Sequence, residues 1–376
     1  MIKRTFGKTN KKVSSLGFGC MRFSKDENGK VKENEAIKQI RYAIDKGITY
    51  IDTAYPYHNG LSETIVGKAL KDGYRKKVDL ATKLPPWLIK KESDMQRILD
   101  EQLEKLQTDY IDFYLVHALT EKRWNIALKY NIFDFLDKAL KDGKIKHVGF
   151  SFHGDYKLFK EIINSYDWEF CQVQYNFMDQ NYQAGIKGIK YAYENDLGVV
   201  IMEPLRGGSL VNNIPEDIKK LWDSLPGEKS PAQRALEFIY NLKEVSVILS
   251  GMNKIKHIDE NIEIASKTKP NSLSKKELNT INKIRDFYKE KIKVNCTRCN
   301  YCMPCTVGID IPEAFNQYNN AFMYDDVESA KFHYNILLGK HDKFASKCIE
   351  CGKCEPKCPQ DIKIIDRLKD VVNLLE

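Results

Sequence analysis

The sequence predicts an α/β protein, a (β/α)8 TIM barrel followed by a small, mainly α-helical, cysteine-rich domain. Three observations predict it. From about residue 14 to 266, short β-type runs alternate with amphipathic helical stretches, and the β runs number eight, a typical barrel count over a typical barrel length. No Gly-rich dinucleotide fingerprint follows the first run, where Gly17-Phe18-Gly19-Cys20 lacks the third glycine, and this favours the barrel over a doubly wound sheet. Eight of the ten cysteines lie beyond residue 295.

The β runs, rich in Val, Ile, Tyr and Phe, are Ser15–Cys20, Ile48–Asp52, Val78–Lys83, Tyr110–His117, Ile145–Ser151, Phe170–Gln174, Gly198–Glu203 and Val245–Ser250. Between them, Glu35–Lys46 places Ala36, Ile37, Ile40, Ala43 and Ile44 on one helical face, and Asp94–Leu106 does so with Ile98, Leu99, Leu103 and Leu106. Phe133–Leu140, Tyr156–Ile163, Ile186–Glu194, Pro231–Tyr240 and His257–Ala265 continue the series. Residues Met1–Val13 precede the first run and are expected to form a hairpin capping the barrel bottom. Ser272–Lys293 reads as a charged helix leading out of it, and Glu313–Phe322 and Val327–Leu338 as helices of the tail. The expected domains are a barrel over 1–270, a connector over 271–293 and the cysteine-rich domain over 294–376.

A chain of 376 residues with 42% hydrophobic content has room for one large core and one small one. No apolar run approaches the roughly 20 residues that span a bilayer, and no apolar stretch follows Met1-Ile2-Lys3-Arg4-Thr5. A cytoplasmic protein with no membrane partner is therefore expected, and cysteines there serve metals rather than disulfides. The net charge of +8 is spread along helices, which reads as a solvated surface and not as a nucleic-acid patch. A basic surface also suits docking of an acidic redox protein. Nothing in the sequence sets the oligomeric state.

Barrel active sites sit at the C-terminal ends of the strands. Those ends carry Asp52, Lys83 and His117, with Tyr57 shortly after Asp52. Reducing a carbonyl by hydride requires a proton for its oxygen. A tyrosine can give one, but its ordinary pKa of about 10 makes it slow at neutral pH. A lysine ammonium beside it lowers that pKa, a carboxylate keeps the lysine charged, and a histidine orients the carbonyl or shares the proton. Singly, each residue reads as a solvated strand end; together they form a coherent proton-delivery set.

At these residues the sequence resembles the aldo-keto reductase family. The likeness is carried by Asp52-Thr53-Ala54-Tyr55-Pro56-Tyr57 with Gly60-Leu61-Ser62-Glu63, by Leu80-Ala81-Thr82-Lys83 and by Tyr114-Leu115-Val116-His117. Val148-Gly149-Phe150-Ser151, Val173-Gln174-Tyr175-Asn176, Glu203-Pro204-Leu205 and Glu260-Asn261 extend it over roughly residues 5–270. The resemblance implies Tyr57 as general acid, tuned by Asp52 and Lys83 and completed by His117, in an NAD(P)H-dependent reduction of an aldehyde or ketone. It implies that Ser151 and Gln174 hold the nicotinamide carboxamide, that Gly19 and Met21 lie near the ring, that Ser250, Gly251, Met252 and Asn253 cradle phosphate, and that Glu260 and Asn261 meet adenine. NADP(H) is favoured over NAD(H), with Lys254 and Lys256 the candidates for the 2′-phosphate, and flavin stays open. Phe152 and Met202 depart from the family pattern, standing where many relatives have Asn and an aromatic ring. Trp87, Trp124 and Leu210–Trp222 are candidates for the substrate pocket.

In the tail, Cys296, Cys299, Cys302 and Cys305 form C-x2-C-x2-C-x2-C, and Cys348, Cys351, Cys354 and Cys358 form C-x2-C-x2-C-x3-C before Pro359. The second run matches the bacterial ferredoxin pattern, in which the fourth cysteine serves the other cluster. The tail thus resembles an α-helical ferredoxin-like domain. The expectation is two [4Fe–4S] clusters, one on Cys296, Cys299, Cys302 and Cys358, the other on Cys305, Cys348, Cys351 and Cys354. Structural zinc is the competing reading of such cysteines. Three functions follow: a carbonyl reductase carrying clusters, an oxidoreductase passing electrons through them to a ferredoxin or flavoprotein partner, or an inactive barrel serving as a carrier module.

Overall fold

The structure, a computed structural model, describes residues 1–212, 214–339 and 342–376. The chain divides into two compact units: residues 1–204 with 233–273, and residues 205–232 with 274–376.

The first unit begins with an antiparallel hairpin of β1 (Lys3–Thr5) and β2 (Lys12–Ser14). Eight parallel strands then close a barrel: β3 (Leu16–Gly19), β4 (Tyr50–Asp52), β5 (Asp79–Leu84), β6 (Ile111–Leu119), β7 (Ile145–Phe152), β8 (Phe170–Gln174), β9 (Gly198–Met202) and β10 (Val247–Ser250). Each pairs with the next, and β10 returns to β3. A strand follows a helix each time because every strand is buried on both faces and needs a helical layer outside. β6 has all nine of its residues buried.

The hairpin plugs the end where the strands begin. Phe6 joins Val13, Tyr50, Phe113, Phe170, Val200 and Val247 in one buried cluster, its ring centre 4.6 Å from that of Phe113. Gly7 makes this approach feasible: its φ is +52°, and a Cβ there would stand 2.2 Å from the Gly198 backbone nitrogen. Arg4 fastens the hairpin further, donating to the carbonyls of Leu242, Val245 and Tyr240.

All eight expected β runs are strands. The helices Ser62–Ala69, Glu121–Lys129 and Glu216–Asp223 are additions to the expected set, and every two successive barrel strands have at least one helix between them in sequence.

In the second unit, the helix Lys275–Lys291 opens with a capping box in which Ser274 and Glu277 satisfy each other's backbone. After an irregular cysteine-bearing stretch come helices Ile311–Met323 and Val327–Tyr334, capped by the Asp310 and Asp326 carboxylates, and a final helix Ile364–Leu375. Ile309, Ile311, Phe315, Tyr334, Leu338, Ile364, Leu368 and Val371 form its core, with Cys302 among them. The segment 205–232 belongs to this unit. Arg206, buried, donates to the Asn295 side-chain oxygen at 2.7 Å, and Tyr288 donates to the Leu210 carbonyl at 3.2 Å.

Candidate functional site

The barrel places Asp52 as the last residue of β4 and Lys83 near the end of β5, with His117 late in β6. Tyr57 lies on a short 3-10 turn five residues beyond Asp52, which brings its ring back over the strand ends. Lys83 is fully buried. Its ammonium donates to both Asp52 oxygens at 2.8 Å and to the Thr53 carbonyl at 2.7 Å, which uses all three of its protons. It stands 5.0 Å from the centre of the Tyr57 ring. The Tyr57 and His117 rings meet edge to face at 6.0 Å. All four predicted residues are thus gathered at one mouth of the barrel.

Burial dominates the electrostatics here. It pushes the Asp52 carboxyl up and the Lys83 ammonium down, and their mutual attraction opposes both shifts. His117 is held well below the ordinary histidine range, first by burial and then by the positive charges of Lys83 and Arg123. His153 is buried too and falls to about 3. Both imidazoles are therefore neutral at pH 7.

Three groups that single-residue reading passes over hold β5 from behind. Thr82 and Gln102 both donate to the buried Glu63 carboxylate, at 2.6 and 2.8 Å. Gln102 also donates to the Lys83 carbonyl, and the Tyr114 hydroxyl donates to Gln102. A sequence signal existed: Gln102 is a polar residue on the apolar face of its helix, beside Ile98, Leu99 and Leu106.

The expected cofactor residues lie around the same end of the barrel. Ser151 is the last residue but one of β7, and Gln174 ends the adjacent β8. The Ser151 hydroxyl oxygen accepts from the Ala118 backbone at 2.6 Å, and Gln174 donates to Asp179 at 2.9 Å. Gly19 comes against Ser250 and Gly251, and Arg22, next to Met21, runs alongside Gly251, where a Cβ would meet its carbons at 3.0 to 3.2 Å. Asn261 donates to the Ser250 hydroxyl at 3.0 Å, across the start of the helix Ile255–Lys267. The Asn253 carbonyl accepts from Ser24 and Gln39, and Met252 is buried beneath. Glu260 pairs loosely with Lys256 at 3.7 Å, and Lys254 is exposed. Phe152 is buried against Phe159, and Met202 receives a contact from Gln172.

Of the candidate pocket residues, Trp87 is half-buried with its ring 5.2 Å from His117, and the Arg123 guanidinium lies 4.6 Å over it. Trp124 is buried in the helical layer, its indole NH donating to Glu161. Leu210 and Trp222 are buried and belong to the second unit, and Asn213 between them lies outside the described residues. Cys20 and Cys171 are buried in the barrel, and burial raises both thiols.

In the second unit the eight tail cysteines line two adjoining cavities. Cys296, Cys299, Cys302 and Cys358 line one, with Ile311, Pro312, Phe315 and Ile364. Cys305, Cys348, Cys351 and Cys354 line the other, with Thr306, Ile309, Lys353 and Lys357. Cys302 and Ile311 border both. Each cavity thus draws on both runs: the first takes Cys358 from the second run, and the second takes Cys305 from the first, with the shared Cys302 at its edge.

Residues 15–286 match the model of the aldo/keto reductase family, and residues 295–362 match that of the 4Fe-4S dicluster domain. The chain is 28% identical over 284 residues to a probable aldo-keto reductase 1 of Glycine max, covering 66% of this chain and 80% of that one. Among solved structures, it resembles the holo form of aldo-keto reductase AKR11C1 from Bacillus halodurans with a TM-score of 0.63 and 27% identity, over 76% of this chain and 96% of that one. It also resembles an aldo/keto reductase from Klebsiella pneumoniae in complex with NADP and acetate, with a TM-score of 0.62 and 25% identity over the same shares.

Proposed function

The chain belongs to the aldo/keto reductase family and carries a 4Fe-4S dicluster domain at its C-terminal end, and from that premise we propose that its barrel reduces an aldehyde or ketone with NADPH while its tail holds two [4Fe–4S] clusters. The observation that carries the proposal is the gathering of Tyr57, His117, and the fully bonded Lys83–Asp52 pair at one mouth of the barrel.

The nicotinamide, when bound, supplies a hydride to the carbonyl carbon. The protein's part is to move one proton. Tyr57 gives it from its hydroxyl to the carbonyl oxygen as charge develops there. The Lys83 ammonium, fixed by Asp52 and Thr53, faces the Tyr57 ring and favours the phenolate that is left. His117, kept neutral by burial and its cationic neighbours, retains an N–H with which to orient the substrate oxygen. Ser151 and Gln174 would hold the carboxamide. Gly19 and Met21 would lie near the ring, the loop Ser250–Asn253 would take phosphate at the start of a 13-residue helix, and Glu260 and Asn261 would meet adenine. NADP complexes among the family's solved structures favour NADPH.

The tail suits iron–sulfur ligation. Each cavity has a set of four cysteines, the soft thiolate donors that iron–sulfur clusters take. Such clusters exchange single electrons when present. The interleaved sets, with Cys358 completing the first and Cys305 the second, follow the ferredoxin pattern.

The test is Tyr57→Phe in the full-length protein. Carbonyl reduction should fall by at least about a hundredfold, the scale of a lost general acid, with iron content unchanged. Retained turnover would remove Tyr57 from the proposal.

A further inference from the structure

The two cysteine cavities are not equivalent. The first is walled by Ile311, Pro312, Phe315, Pro359 and Ile364, all buried. The second opens toward solvent: Cys351 is exposed, and Ile349, between Cys348 and Cys351, is 60% exposed. Lys353 and Lys357 line this cavity and are both exposed. Neither has a carboxylate within ion-pair distance among the described residues. Other cations nearby are neutralised: Lys347 pairs with Asp342, Lys369 with Glu350, and Arg367 with Asp370. Of the local acids, Glu350 is engaged by Lys369, and Glu355 accepts from the Ile365 backbone at 3.1 Å. What remains is an apolar side chain at a ligand loop, flanked by two uncompensated lysines.

We propose that this face, centred on Ile349 and ringed by Lys353 and Lys357, docks an acidic one-electron carrier protein and is where electrons cross between that carrier and the second cysteine site. The proposal rests on the cluster half of the function proposed above. Solvated lysines alone would carry no such meaning. Here they border the cavity that holds the exposed Cys351 and not the other, and a small apolar centre with a charged rim is the anatomy of a transient redox interface. Uncompensated charge steers encounter with a partner of opposite sign and adds little to lifetime, which suits an electron carrier that must leave quickly. Each encounter oxidises the carrier by one electron and reduces the cluster held by Cys305, Cys348, Cys351 and Cys354 by one. The adjoining wall at Cys302 and Ile311 gives that electron a short path to the inner site.

The experiment uses the full-length, cluster-loaded protein under anaerobic stopped flow. A reduced acidic [2Fe–2S] ferredoxin is the probe, and loss of the cluster charge-transfer absorbance is the readout. In the wild type, the second-order rate should fall steeply as salt rises. In Lys353→Glu/Lys357→Glu it should fall by about tenfold or more at low salt and lose its salt dependence. Reduction by titanium(III) citrate, iron content, and NADPH-dependent carbonyl turnover should stay unchanged in that variant. An unchanged ferredoxin rate in the variant, with full iron, overturns the docking face alone. Wild-type protein that binds zinc in place of iron overturns the cluster reading and this proposal together, whatever the barrel does.

Discussion

The buried Lys83 is the residue on which the barrel site turns. An ammonium with no solvent exposure is tolerated only because Asp52 and the Thr53 carbonyl satisfy every proton it carries. That arrangement leaves it no proton to give to Tyr57, so in the proposed mechanism it acts on the phenol through its charge and not through a hydrogen bond. The histidines show the same economy of burial in a form that pH can read. His117 and His153 are both held below their ordinary value by burial, whereas in the unfolded chain they titrate near 6.5. Below that pH the unfolded state takes up protons that the folded barrel refuses, so stability is full above it and is lost as pH falls. The expected loss between pH 7.5 and 5.5 is on the order of 1 kcal/mol per histidine, read from urea unfolding followed by tryptophan fluorescence. His153→Gln should remove its share of that slope. A slope as steep in the variant as in the wild type would mean that His153 is charged in the fold.

At the scale of elements, the N-terminal hairpin contributes a core layer as well as a cover. Phe6 packs its ring among Tyr50, Phe113 and Phe170. Phe6→Ala should cost about 3–5 kcal/mol, the usual range for a buried aromatic. The KM for carbonyl and nucleotide should not change, because the hairpin sits where the strands begin and the site lies where they end. A changed KM with little loss of stability would contradict that division. Most barrel strands were legible as short runs rich in β-branched or aromatic residues, and the meeting of Asp52, Lys83 and His117 because strand ends can be counted. The helix Ser62–Ala69 was not: eight residues hold barely two turns, too few for a periodic signal. The helix Ile364–Leu375 does carry one, in Ile364, Leu368, Val371 and Leu375, but it starts right after the cysteine pattern that dominates the segment. The roles of Glu63, Gln102 and Tyr114 depend on contacts between elements, which no local pattern encodes.

For the whole molecule, the segment 205–232 is the least predictable feature. In sequence it lies inside the barrel, between β9 and β10, yet it packs within the second unit. Arg206 reaches Asn295 across 89 positions of sequence, a pairing set by tertiary packing alone. Ending the chain before Val294 would take Asn295 away from a buried guanidinium. Residues 205–232 should then be cut by protease at least about tenfold faster, consistent with the loss of 1–2 kcal/mol of local stability, while the far-ultraviolet signature of the barrel is retained. Equal protease resistance would show that the segment holds its shape without the tail. The exchange of cysteines between the two cavities makes the two runs of the tail depend on each other. The first cavity needs Cys358 beside Cys296, Cys299 and Cys302, and the second needs Cys305 beside Cys348, Cys351 and Cys354. Neither cysteine run can be cut away from the tail with a whole set left in the other.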